Sequence, residues 1–134
     1  MYGLFLKKAK MYKEKEVKIV LSEEADEVYE ELNKIVYEEK KKGVESSFHQ
    51  TLLRSINRVK ELLKQNPFAG DQVPKSLIPA KYIKRYSAEN VWRIELAERW
   101  RLLYNISGNK LEIINFVLDI VSHRNYDKIF RYKH

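Results

Sequence analysis

Apolar and polar positions alternate along residues 91–131, VWRIELAERWRLLYNISGNKLEIINFVLDIVSHRNYDKIFR. The alternation predicts three strands in succession. They cover residues 91–96, 100–106 and 111–121, each rich in the β-branched and aromatic side chains that suit a half-buried pleated surface. Ser107, Gly108 and Asn109 make the turn between the second and third, and Ala97, Glu98 and Arg99 a less obvious one between the first and second. Parity then sets the register, because residues opposite one another on paired strands share a face. A three-residue loop places Leu96 against Trp100, Ile94 against Leu102 and Trp92 against Tyr104, leaving one face wholly apolar. The other face, a non-core face on this reading, carries Arg93 and Glu95 with Arg101, Leu103 and Asn105. A two-residue loop would put Arg101 beside Ile94 and Trp100 beside Glu95, mixing the faces, so the three-residue loop is expected. Arg99 is neither Gly nor Asn, the residues that such loops favour in the left-handed position.

Upstream the period changes to that of a helix. Ala25, Val28, Tyr29, Leu32, Ile35 and Val36 form one stripe, with Ser22 as its cap and Glu23 and Glu24 at its positive end. A second stripe, His49, Leu52, Leu53, Ile56, Val59 and Leu63, starts from Ser47, with Gln50 completing a capping box. Helices are therefore expected near residues 23–42 and 47–65, turning at Gly43 and stopped by Pro67. His49, at the edge of its stripe, reads as structural. Residues 17–21, VKIVL, read as a short first strand that joins the sheet, and residues 68–79, with Gly70, Pro74 and Pro79, as a loop. Residues 80–86, AKYIKRY, interleave Lys81, Lys84 and Arg85 with Tyr82 and Tyr86. Such a segment either contacts phosphate and bases or packs its tyrosines on the sheet.

With 134 residues the chain is expected to form one domain, residues 17–134, behind an N-terminal extension of residues 1–16. That extension reads as a frayed tail, with a basic arm touching RNA as the alternative. Its apolar run is too short to span a membrane, and its lysines follow the run instead of preceding it as in a secretory signal. The net charge of +7 is the profile of a polyanion binder. The excess is uneven: residues 1–80 hold 15 Lys and Arg against 13 Asp and Glu, residues 81–134 hold 11 against 6. Cysteine is absent, which excludes a disulfide framework and is compatible with a reducing cytoplasm. Three histidines, His49, His123 and His134, and no ligand-like carboxylate spacing leave no candidate metal site.

The charged sheet face now matters. Two arginines and a carboxylate lie together, and the third strand runs on into Ser122, His123, Arg124, Asn125 and Tyr126. Cations to hold phosphate beside groups that move protons are what phosphodiester chemistry needs. The alternative is a solvated face with a salt bridge between Glu95 and Arg101.

The run WRIELAERWRLLYNI, a short turn, an apolar strand and a His-Arg pair, preceded by a helix pair ending in Asn66-Pro67-Phe68, resembles the RelE/ParE superfamily of toxins from toxin–antitoxin modules. The resemblance covers about residues 17–131 and implies an α+β fold, a helical hairpin packed on a small antiparallel sheet. It implies a metal-independent endoribonuclease, without cofactor, that cuts mRNA on the ribosome and is held in a hetero-oligomer with a cognate antitoxin. Arg101 matches the family's strand arginine at the scissile phosphate, and Arg93 the basic residue on the preceding strand. Glu95 or His123 takes the proton-transfer role, and Arg124 is a second phosphate contact. The family spaces its final tyrosine farther from the His-Arg pair, where this chain has Lys128, so Tyr126 or Tyr132 stands in for it. Lys81, Lys84, Arg85, Arg99 and Lys128 complete the expected RNA contacts. Two other readings remain: a ParE-like poison of DNA gyrase, and a non-catalytic RNA- or ribosome-binding domain.

Overall fold

The structure, a computed structural model, describes residues 11–131. Residues 1–10, most of the expected basic arm, and Tyr132 lie outside the described residues. The two expected helices are present as α1 (Glu23–Lys41) and α2 (Phe48–Gln65). Ser22 Oγ accepts the Ala25 N–H and donates to the Leu118 carbonyl, so one hydroxyl caps α1 and ties it to the sheet. Ser47 Oγ accepts the Gln50 N–H, but the Gln50 side chain does not turn back to complete the box. It reaches Glu39 and the Val44 carbonyl, so it clamps the turn between the helices. Glu39 also accepts from Ser47 and faces His49 Nδ1 at 3.3 Å. These bonds hold the Glu39 carboxyl below its ordinary range, the Ser47 hydroxyl contributing most.

Six strands form one sheet in the order β1-β2-β6-β5-β4-β3. They are β1 (Met11–Tyr12), β2 (Lys15–Leu21), β3 (Asp71–Gln72), β4 (Trp92–Glu95), β5 (Arg101–Gly108) and β6 (Glu112–Val121). The first expected strand does join the sheet, but it lies parallel to β6, so the sheet is mixed instead of purely antiparallel. Met11 and Tyr12 pair back on β2 through a tight turn with Lys13 and Glu14 both at positive φ, so this part of the expected tail is strand. Asp71 and Gln72, within the expected loop, pair with Trp92 and Arg93. Gly70, just before them, lies so close to the Arg93 carbonyl and the Tyr104 hydroxyl that a Cβ would run into both.

The β4–β5 register is the expected one, with Trp92 opposite Tyr104 and Ile94 opposite Leu102. Trp92, Ile94 and Trp100 accordingly share a face and pack with α1 and α2 around Leu52, Ile56, Leu63, Leu102 and Val117. Each large side chain buried there contributes about 1.5–3 kcal/mol.

The other face is not the bare one that the alternation implied. A second apolar cluster covers much of it: Val73, Ile78, Tyr82, Val91, Leu103, Leu118 and Val121. Helices α3 (Ala80–Tyr86) and α4 (His123–Arg131) supply its roof. The cause is a bulge in β6. Leu103 pairs with Asp119 and Tyr104 with Val117, leaving Leu118 as the extra residue. Its insertion changes the phase of the strand, so Val117 and Ile120 face the helical hairpin while Leu118 and Val121 face α3 and α4. Tyr82 in α3 is buried and donates to Asp119, so its segment packs tyrosines on the sheet. Burial, with the Asp119 carboxylate beside it, holds the Tyr82 phenol well above its ordinary value.

Candidate active site

Helix α4 decides what the charged edge of the sheet becomes. Sequence alternation passed over this helix, whose apolar positions Tyr126, Ile129 and Phe130 are few. They pack on the second cluster, and Ser122 Oγ accepts the Asn125 N–H at the helix start. The helix thereby lays Tyr126 across the arginines of the hairpin. Arg93 donates to the Tyr126 hydroxyl at 2.8 Å. The Arg101 guanidinium lies over the Tyr126 ring, 4.6 Å from its centre.

Arg101 is the hub. Its side chain is only 15% exposed, and one terminal nitrogen lies 3.3 Å from the Glu95 carboxylate, which is 66% exposed. The other lies 3.1 Å from Nδ1 of His123 and donates to the Arg99 carbonyl at 3.3 Å. The Arg101 Nε is buried without a hydrogen-bond partner among the described residues. Arg99 approaches the opposite edge of the same imidazole, 3.1 Å from Nε2, and Asp127 lies 3.4 Å from that nitrogen.

Arg99 reaches His123 from a strained turn. Glu98 and Arg99 have φ of 59° and 62°, the left-handed region that non-glycine residues avoid at a cost of about 1–3 kcal/mol each. The turn is held by the Ala97 N–H, which donates to the buried Ser55 Oγ of α2. The Leu96 N–H also donates to the Trp100 carbonyl.

The structure therefore brings together Arg93, Glu95, Arg99, Arg101, His123 and Tyr126 of the residues expected from sequence. Arg124 and Lys128 are exposed on α4 and line, with His123 and Asp127, a depression of about 380 Å³. Lys81 faces Asp119 at 3.4 Å and Arg85 pairs with Glu24. Lys84 is exposed on the same helix. Glu24 also accepts from Tyr86, the main cause of its carboxyl being held below the ordinary range. Sequence reasoning missed Asp127, although its i, i+4 spacing from His123 was available once a helix was assumed there. Among the described residues no group of His, Asp and Glu is arranged to hold a metal ion, and no helix is long and apolar enough to cross a membrane.

A helical hairpin on one face of a curled mixed sheet, with short helices over the other, defines an α+β fold of the RelE/ParE toxin type. A solved structure that shares it is the YoeB/ParE toxin from Agrobacterium tumefaciens, with a TM-score of 0.51 and 18% identity, over 79% of this chain and 98% of that one. No family model matches the chain, and no curated protein matches it.

Proposed function

We propose that the chain is the toxin of a type II toxin–antitoxin module and acts as a metal-independent endoribonuclease on ribosome-bound mRNA. The observation that carries this reading is the convergence of Arg93, Arg101 and His123 around Tyr126 at one edge of the sheet. The fold shared with a YoeB/ParE toxin supports it. Two proton-transfer groups engage opposite nitrogens of Arg101, Glu95 on one and His123 on the other. A phosphate bound to that guanidinium would have one of them on each side.

In the reaction, one group removes the proton of a ribose 2′-hydroxyl, and the oxygen attacks the adjacent phosphorus. As the 2′-O–P bond forms, the P–5′-O bond breaks, and the second group protonates the departing 5′-oxygen. The products are a 2′,3′-cyclic phosphate and a free 5′-hydroxyl. Arg101 and Arg93 stabilise the charge that accumulates on the phosphorane oxygens. Tyr126 orients both cations and offers an aromatic face near the RNA. An acidic or amphipathic segment of a cognate antitoxin, laid over Arg93 and Arg101, would keep the activity in check through charge complementarity.

Primer extension on mRNA in a reconstituted translation mixture tests the reading, with gyrase supercoiling measured on the same preparation. Discrete cuts that appear only when ribosomes occupy the mRNA are expected. Intact mRNA together with blocked supercoiling would transfer the assignment to a gyrase poison. Salt-sensitive ribosome binding with neither effect would leave an RNA-binding domain.

A further inference from the structure

We infer that Asp127 is the positioning residue for His123: its carboxylate holds the ring proton on Nε2 and leaves Nδ1, which faces Arg101, as the atom that moves a proton. The catalytic half of this inference rests on the nuclease reading above; the orientation of the ring does not.

A neutral imidazole has one N–H and one lone pair, and here guanidinium N–H groups approach both nitrogens at 3.1 Å. Only one of these approaches can be a hydrogen bond. With the proton on Nδ1, that N–H would face the Arg101 donor, and the Asp127 carboxylate would face the Nε2 lone pair at 3.4 Å. Both contacts would oppose like with like. With the proton on Nε2, Arg101 donates to Nδ1, and the positive end of the Nε2 N–H dipole lies beside the Asp127 carboxylate, 3.4 Å from the nitrogen. Each tautomer thus keeps one arginine hydrogen bond, Arg99 to Nε2 in the first and Arg101 to Nδ1 in the second, and the Asp127 carboxylate beside Nε2 favours the second. The i, i+4 spacing on α4 keeps carboxylate and ring on one helix face. The groups facing this ring are thus Arg99 from the strained turn, Arg101 from β5 and Asp127 from α4. Arg124 and Lys128 line the adjoining depression.

This arrangement also makes Nδ1 conditional. While Arg101 donates to it, the lone pair is occupied. A phosphate that draws the Arg101 guanidinium to itself frees Nδ1 beside the bound backbone, so the proton-transfer atom is uncovered by the substrate.

Long-range ¹H–¹⁵N correlation spectra of the His123 ring at pH 9 test the inference in the parent, Asp127→Ala and Asp127→Glu, with mRNA cleavage measured on all three. The parent should carry its ring proton on Nε2. Asp127→Ala should show a mixture of tautomers and cleave about 10- to 10⁴-fold more slowly, the range seen when a group that orients a histidine is lost. Asp127→Glu, which keeps a carboxylate on the same helix face, should restore the parent tautomer and much of the rate. A parent protonated on Nδ1 would overturn the inference, as would an Asp127→Ala protein unchanged in both tautomer and rate. An inactive parent would overturn the nuclease reading and with it the role of Nδ1, while the spectra still decide whether Asp127 positions the ring.

Discussion

Arg101 occupies a place that few arginines tolerate: mostly enclosed, stacked on Tyr126, and with its Nε buried and unpartnered among the described residues. A buried donor without a partner costs about 1–3 kcal/mol, more when it is charged. For stability alone the residue is a poor choice, which fits a guanidinium preorganised for an anion. Arg101→Ala should lower mRNA cleavage by about 10²–10³-fold, the usual effect of removing one such electrostatic contact. Its stability cost should be small, because the pair with exposed Glu95 is worth only about 0–1 kcal/mol and relief of the unpartnered Nε offsets the lost contacts with Tyr126 and His123. Arg101→Lys should recover little, since a point charge cannot reproduce a planar fork on two phosphate oxygens. His123→Ala should slow cleavage by about 10²–10⁴-fold. Cleavage rates and melting temperatures of these three variants check the set, and parent-like cutting by all of them would remove Arg101 and His123 from the chemistry. The Arg93, Glu95 and Arg101 grouping was legible because strand parity admits only one register that keeps Trp92, Trp100 and Tyr104 together. The contacts of Tyr126 and Asp127 were not, because they depend on a helix whose apolar stripe has three members.

Among the elements, the two long helices and the β4–β5 hairpin follow from their periodicities. The second core does not, because one extra residue, Leu118, breaks the alternation in β6, and alternation alone assigns Leu118 and Asp119 to opposite faces. The parallel placement of β2 was equally hidden, since no local turn connects it to β6. Tyr104 records how tightly this arrangement closes. It is fully buried, and its hydroxyl accepts the N–H of Gly70, which itself sits against β4. Burial pushes the phenol up to about 12 from an ordinary value of about 10. Below about pH 10 both folded and unfolded chains keep this proton. Above it the unfolded chain loses the proton first, so stability declines as the pH climbs through about 12, by about 2–3 kcal/mol in all. Urea denaturation at pH 8 and pH 11.5 should show that decline. Tyr104→Phe should start lower by about 1–3 kcal/mol, because the Gly70 N–H is left without its acceptor. It should then lose less on going alkaline than the parent, the remainder coming from the raised phenol of Tyr82. An identical decline in parent and variant would contradict this assignment.

At the scale of the whole molecule, charge is sorted by face. Helix α1 holds eight Asp and Glu against three Lys, while Arg93, Arg99, Arg101, Arg124 and Lys128 lie around the candidate site. An approaching polyanion is turned toward the site and away from α1. Filter binding of a short single-stranded RNA at several salt concentrations should therefore give a slope of log K against log salt of about −2 to −3.5. That slope corresponds to three to five phosphates neutralised at roughly 0.7 each. Charge reversal at Arg124 and Lys128 should flatten it, and a salt-independent affinity would show that these cations do not meet the RNA backbone.

The parallel pairing of β2 with β6 also sets a clock on synthesis. The Ser22 hydroxyl that caps α1 bonds a carbonyl 96 residues later in the chain, and β2 has no neighbour along that side until β6 has been made. At about 5–20 residues per second, translation keeps VKIVL waiting for about 5–20 seconds. The strand that completes the sheet is followed at once by His123, Tyr126 and Asp127. A growing chain therefore carries Arg93, Glu95 and Arg101 well before it has anything to set against them. The side chains that complete the candidate site therefore follow every strand of the sheet in the order of synthesis, and the site can be assembled only once β6 and α4 have been made.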